Sequence, residues 1–277
     1  MTVSTTPTSV AAKARREKRL QELVDQAVRQ RRFEAILPWA IALGALLIWE
    51  ATCIAFKVPI FVLPPPSAVF ASIVKWWPQL LADAVQTLMT TLLGFGLAIV
   101  IGVTLGIVVG SFRSIYKGLY PLLIGFESIP KVAVVPLLVI WFGIGTVPAV
   151  ITSFLIAFFP IMVNVSTGIA SVEAELRDVL RSLGASTFDI VKKVGIPRAL
   201  PYFFASLKVA MTVSFVGSII AETVGSNNGI GHLIVVAGSR FDIPLMFAGL
   251  IVTSAMGVVM YVVALLVERH ALAWSRD

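Results

Sequence analysis

The sequence predicts an all-α polytopic membrane protein with six transmembrane helices, and three observations carry that prediction. Of the 277 residues, 58% are hydrophobic and only 13% charged, where a soluble domain has about 45–50% apolar and about 25% charged residues. Mean hydropathy is accordingly high, at +0.94. Apolar runs of the roughly 20 residues that cross a hydrocarbon core recur between polar or Pro/Gly-marked breaks. The basic residues, finally, collect on alternate breaks, as they do in a chain threaded back and forth through a bilayer.

Residues 1–35 hold no long apolar run. Eight Lys/Arg lie between Lys13 and Arg32, with Leu20, Leu23, Val24 and Val28 loosely on one helical face, a basic cytoplasmic tail that is either solvated or laid on anionic lipid. The first span, 36–56, is too long for the apolar core of a cleaved signal peptide and is expected to stay as an anchor. Leu63-Pro64-Pro65-Pro66-Ser67 follows; consecutive prolines cannot donate hydrogen bonds, so this is a loop outside the lipid, on the extracytoplasmic side. Ala68–Leu81, with Trp76 and Trp77, reads as a helix lying at headgroup level.

The second span, 85–112, carries Gly94, Ala98, Gly102, Gly106 and Gly110 at every fourth position, a smooth stripe that lets another helix approach closely. The third, 119–142, is interrupted by Pro121, Glu127, Pro130, Lys131 and Pro136 and is expected to be kinked and buried. Gly143 to Pro148 is a turn signal, and the fourth span, 147–169, contains Pro160 and Asn164. A charged loop, 172–198, precedes the fifth span, 203–224. After the break Gly225-Ser226-Asn227-Asn228-Gly229 comes the sixth span, 245–267, and a polar end.

Six spans place both termini on one side. That side holds the eight basic residues of the tail, Arg113 and Lys117, five in the charged loop, and Arg269 and Arg276; the other holds Lys57, Lys75 and Arg240. The asymmetry makes the tail, the loop and the C-terminus cytoplasmic. It also explains the net charge of +7 without a nucleic-acid partner. Cys53 has no second thiol to pair with, and His232 and His270 lie apart with no carboxylate cluster, so neither a redox pair nor a metal site is expected.

Within the charged loop the ten residues Glu173–Ser182 contain five charges, which excludes hydrocarbon. A short helix ends at Gly184, which can take the positive φ that terminates it; Ser186 and Asp189 form a capping box for a second, and Pro197 ends the pattern before the fifth span. Leu176, Leu180 and Leu183 share a face beside Arg177, Asp178 and Arg181, as a helix docking into a partner's groove requires. Asp178-Val179-Leu180, three residues, Gly184, nine residues, then Val194-Gly195-Ile196-Pro197 resembles the cytoplasmic loop of ABC importer permeases. Their pattern is Glu-Ala-Ala, Gly, Ile-x-Leu-Pro at the same spacing, with Asp178 here replacing Glu and Val179 and Leu180 replacing the alanines.

Ile129-Pro130-Lys131 through Pro136-Leu137, Trp141-Phe142-Gly143-Ile144-Gly145, the Pro64 triplet, and Ala221-Glu222 with Gly229-Ile230-Gly231 are similar to the nitrate/sulfonate/taurine-type branch, from about Leu63 to the end. The resemblance implies a type I importer-like permease in a bacterial inner membrane, working as a homodimer with two ABC ATPase subunits and a soluble or lipid-anchored substrate-binding protein. Leu176, Asp178, Leu180, Arg181, Leu183, Gly184 and Pro197 are then the ATPase-coupling residues. ATP and Mg belong to the partner, since no Gly-x-x-x-x-Gly-Lys-Ser/Thr phosphate loop occurs here. Similar permeases handle taurine, alkanesulfonates, nitrate, bicarbonate, pyrimidine precursors or aromatic acids, so the solute class stays open.

Intramembrane charge is a functional signal because it is costly to bury unpaired. Glu127 and Lys131, four apart, can form a structural pair or a site at the cytoplasmic rim, line the pathway, or take part in coupling. Glu222 reads as an interfacial or loop-anchoring carboxylate before a substrate ligand of the pathway. Asn164, Thr167 and Ser218 read as helix-packing polar groups before pathway ones. A secondary transporter or channel would account for six spans but not for the docking loop, and a membrane enzyme lacks any nucleophile, acid/base or metal constellation.

Overall fold

The computed structural model describes Gln30, Phe33, Glu34 and residues 36–271. The basic tail expected at 1–35 and the end of the polar C-terminus from 272 therefore lie almost wholly outside the described residues, within which every regular element is a helix. The chain divides into two compact units, 1–67 and 68–277. In the first, α1 (Ile36–Ala55) is apolar and 20 residues long. Its end is closed by the Val58 N–H donating to the Cys53 carbonyl at 3.0 Å. Glu50 accepts the Ser67 N–H at 3.0 Å and the Ser67 hydroxyl at 2.7 Å, which folds the proline-rich loop back along α1.

The surface helix expected through Leu81 is shorter than that. Helix α2 (Pro66–Lys75) stops after ten residues, and α3 (Trp77–Ser111) starts at once, with Pro78 in its first turn. Proline is favoured there because its missing N–H would be unpaired anyway. At 1.5 Å per residue the 35 residues of α3 reach about 52 Å, so the helix extends well past a hydrocarbon core of about 30 Å.

The third run also differs from expectation. Helix α4 (Arg113–Glu127) passes through Pro121 without breaking, stops at Ser128, and a 3-10 turn (Lys131–Val134) leads into α5 (Val135–Phe142). The two halves are bent by 74°. Pro130, at φ −70° and ψ 93°, sets the turn. The run is kinked as expected but only partly buried: Leu123, Val135 and Leu138 are buried, whereas Leu122 (62% exposed), Ile140 (78%) and Trp141 (65%) turn outward, apolar surface that suits lipid or another chain.

Gly143 and Gly145 lie at φ +79° and +148°, a turn open to glycine alone, and the Gly145 N–H bonds the Gly225 carbonyl at 2.9 Å. Helix α6 (Thr146–Ala170) follows, then α7 (Ala174–Ser182) and α8 (Thr187–Ile190). Pro197 does not end a helix, contrary to the sequence reading. A π-helical turn, Val191–Gly195, joins α8 to α9 (Ile196–Gly225) in one helical stretch from Thr187 to Gly225. Widening the ladder is a known way to accommodate a proline's lost N–H and bulky ring. A short helix absent from the sequence reading, α10 (Ile230–Ser239), precedes α11 (Ile243–Ala271). Among the described residues five helical stretches are long and apolar enough to span, six if the bent pair is one broken span.

Because lipid is as apolar as leucine, close approach and hydroxyl pairing hold these helices more than burial does. Helix α3 lies against α6 along its glycine stripe: a Cβ on Gly94 would fall 2.5 Å from the Ser153 Cβ, one on Gly106 2.8 Å from the Val165 Cβ, and one on Gly110 2.6 Å from the Ser166 carbonyl. Gly102 is less tight, at 3.1 Å from Ile161. The Ser153 hydroxyl pairs with Ser214 of α9 at 2.6 Å and donates to its carbonyl at 3.0 Å. Ala98, Ile161, Val165, Ile169, Ala210 and Phe215 fill the seam between α3, α6 and α9.

Candidate functional site

At one end of the bundle, α7 closes with a Schellman motif. The Gly184 N–H donates to the Arg181 carbonyl at 2.9 Å and the Ala185 N–H to the Leu180 carbonyl at 3.0 Å, with Gly184 at φ +84°. These bonds satisfy carbonyls that the helix end would otherwise leave open. Ser186 and Asp189 form a reciprocal capping box on α8. The two short helices are thus joined through a turn whose geometry is specified on both sides. Arg177 anchors α7 by donating to the Ile169 carbonyl at 2.8 Å, and Arg198 meets Glu173 at 3.3 Å.

The expected docking face is divided. Leu183 is 77% exposed, whereas Leu176 and Leu180 are half-buried. Val179 and Phe188 take their place on the surface, 55% and 72% exposed, beside the exposed Asp178–Arg181 pair at 4.0 Å. Helical spacing alone favoured the three leucines. Phe188 became an outward group only when the capping box turned α8, although a phenylalanine in the first turn of a capped helix within a charged loop was a signal in view. Pro197 lies behind this tip in the continuous helix rather than on it.

At the opposite end a polar cluster gathers around Glu222, 1% exposed. Its carboxylate accepts the Thr87 hydroxyl at 2.8 Å, the Gly231 N–H at 3.1 Å and the Thr90 hydroxyl at 3.3 Å. Ser218 pairs with Thr90 at 2.5 Å. The Ile230 N–H reaches the Thr87 oxygen and the Gly229 N–H reaches Asp83, each at 2.9 Å, and Gln79 donates to the same Asp83 carboxylate at 2.8 Å. The open N–H groups at the start of α10 thus meet acceptor oxygens from α3 and α9. Gly229, at φ +102°, has no room for a Cβ beside the Glu222 carboxylate. Asp83, Thr87 and Thr90 were not singled out from sequence, although their i, i+4, i+7 spacing on an apolar helix marked one polar face.

Glu127 and Lys131 meet at 3.4 Å, and the Lys131 ammonium also donates to the Glu127 carbonyl at 3.0 Å and stands 5.2 Å from the centre of the Phe159 ring. The pair therefore clamps the break between α4 and α5. Asn164 turns back to its own helix, donating to the Pro160 carbonyl at 2.8 Å. Thr167 meets Tyr116 of α4 at 3.3 Å. Lys208 and Glu268 pair at 2.7 Å between α9 and α11, a contact between residues 60 positions apart that periodicity does not show.

A bundle of apolar spans, one of them broken, with a rigid projecting helical turn at one end, is the architecture of a membrane transport permease. Residues 98–272 match the Binding-protein-dependent transport system inner membrane component family, and the chain belongs to that family. It is 30% identical over 216 residues to the probable ABC transporter permease protein of Haemophilus influenzae, covering 78% of this chain and 88% of the relative. It is 32% identical to the riboflavin transport system permease protein RibX of Chloroflexus aurantiacus, over 83% of this chain and 87% of that one. To the taurine transport system permease protein TauC of Escherichia coli it is 25% identical, over 92% and 98%. A chain of the inward-facing MetNI methionine ABC transporter shares the fold, with a TM-score of 0.61 at 20% identity over 71% of this chain and 97% of that chain. The protein is a permease component of an ABC importer, an inner-membrane subunit of a system in which ATPase and substrate-binding subunits take part.

Proposed function

We propose that this chain, paired with a second copy of itself, forms the alternating-access pathway for a small anionic or polar organic solute. Two ABC ATPase subunits carry the ATP and Mg, and a soluble or lipid-anchored binding protein delivers the solute at the extracytoplasmic face. The observation that carries the reading is the α7–Gly184–α8 tip. It sets Val179, Leu183 and Phe188 outward beside Asp178 and Arg181, on a turn held by its own hydrogen bonds, in a chain with no phosphate loop of its own. A rigid apolar tip with charged flanks fits a groove on a partner and can pass that partner's motion to α9 through the unbroken helix from Thr187.

The outward apolar faces of α4 and α5 support contact with a second copy or with lipid. The basic asymmetry supports a cytoplasmic tip and cytoplasmic termini. The relatives' named solutes, riboflavin and taurine among them, support a small polar solute and not one particular compound. Affinity purification of the tagged full chain should recover an ATPase subunit, and proteoliposomes of the recovered complex should take up solute only with ATP. Recovery without ATPase together with nucleotide-independent uptake would replace this reading with a secondary transporter.

A further inference from the structure

Two clefts at the α7 end adjoin at Ser111, Phe112 and Thr187, and their linings include Asp178, Arg181 and Phe188 of the tip. The first, 640 Å³, lies between the α3–α4 junction and α7 and presents Ser114, Lys117, Arg177, Arg181 and Thr187. Its one acidic lining residue, Asp178, leans toward Arg181, so three cations face one carboxylate. Lys117 is exposed and enters no ion pair among the described residues. The second cleft, 630 Å³, shares Ser111, Phe112 and Thr187 with the first and is otherwise walled almost wholly by carbon, from Ile107, Val108, Phe188, Val191 and Ile196. Lys192 stands at its edge, 5.9 Å from the Phe188 ring.

The joined clefts have the polarity of an amphiphile. Ile107 and Val108 lie one turn inside the end of α3, whereas Lys117 and Arg181 lie beyond Ser111, where that helix ends. A free phosphate would satisfy the basic half and leave the carbon walls wet; a neutral acyl chain would do the reverse. We propose that the two clefts together seat one anionic phospholipid, its phosphate between Lys117 of α4 and Arg181 of α7 and one acyl chain along the groove from Ile107 to Ile196. A phospholipid so placed bridges α4 to the projecting helix. On the orientation proposed above the clefts face the inner leaflet; the binding itself does not depend on that orientation.

Native mass spectrometry of the full chain released from detergent tests this, with dioleoyl phosphatidylglycerol, dioleoyl phosphatidylcholine, glycerol phosphate and inorganic phosphate as probes. Wild type should retain one phosphatidylglycerol in clear preference to phosphatidylcholine. The exposed-site variant Lys117→Gln/Arg181→Gln should reduce that preference about 25-fold, taking about fivefold for each basic residue near a membrane surface. Lys75→Gln, at the end of α2 and so beside the opposite end of α3, should leave it unchanged. Val191→Glu should weaken retention of both lipids, because it puts a charge on the carbon wall.

Equal retention of the two lipids would overturn the proposal. So would retention of glycerol phosphate or inorganic phosphate as strong as that of the lipid, or an unchanged preference in the double variant. Absence of any retained lipid, with Lys117 shielded from acylation only after ATPase subunits are added, would assign the clefts to a protein partner and also overturn it. If the double variant misfolds, the wild-type comparison of the four probes decides alone. Cysteine labelling that put Gly184 outside would sink the orientation and leave the lipid result standing.

Discussion

Replacing Gly184 by valine isolates the coupling role proposed for the α7 tip from everything else in the bundle. Gly184 sits at φ +84°, and a Cβ built there meets nothing within 4 Å, so the substitution causes no collision and acts through the backbone alone. Holding a β-branched residue at positive φ costs about 1–2 kcal/mol. The strain is relieved by giving up the Gly184 and Ala185 bonds to the Arg181 and Leu180 carbonyls, each worth about 1 kcal/mol net. The two costs are similar, so the turn should populate its native geometry several-fold to tens-fold less often, re-aiming Leu180 and Leu183. The spans are untouched.

Gly184→Val should therefore insert and melt like wild type in detergent, yet bind the ATPase subunits more weakly by a factor of about 5–30, or hydrolyse ATP without uptake. Gly184→Asn should lie close to wild type, since asparagine visits positive φ readily. Reconstituted complexes in lipid decide the matter: normal assembly together with normal substrate-stimulated ATPase and uptake in Gly184→Val would refute the role assigned to the loop.

Glu222→Ala should loosen the start of α10, because Thr87 and the Gly231 N–H lose a buried acceptor at about 1–3 kcal/mol for each group left unpaired; amide exchange at 229–231 should rise, while Glu222→Gln keeps an acceptor and should change it far less. Gly106→Leu should destabilise the α3–α6 seam by about 1–3 kcal/mol through overpacking against Val165, more than Gly102→Leu, whose neighbour Ile161 leaves more room; equal melting temperatures for both variants and wild type would show that the stripe tolerates separation. Single cysteines at 65 and 228 should react with an impermeant reagent from outside and one at 184 only from inside, and external labelling at 184 would end the six-span topology.

The capped turn at Gly184 and the capping box at Ser186 were legible from sequence because both are local: a positive-φ residue and a reciprocal side-chain bond need only near neighbours. The glycine stripe was legible for the same reason, as a period along one helix. What it packs against was not, since Ser153, Val165 and Ser166 lie on α6, some 60 residues away. Helix α10 escaped notice because its ten residues are too short for a span and its start is specified from elsewhere, by Asp83, Thr87 and Glu222. The break at Pro130 was visible, but the exposure of its apolar flanks depends on what the rest of the chain leaves uncovered.

Composition, run length and the placement of basic residues thus determined that the chain is helical, crosses a membrane repeatedly and carries a charged loop outside the hydrocarbon, because each of these follows from transferring residues between water and hydrocarbon one segment at a time. The tertiary structure alone decided which tip residues face outward, that Pro197 lies within a continuous helix, and that Glu222 fastens a short helix to α3. Those outcomes rest on hydrogen bonds and close approaches between residues far apart in sequence, and the strength of such contacts depends on where the partner is placed.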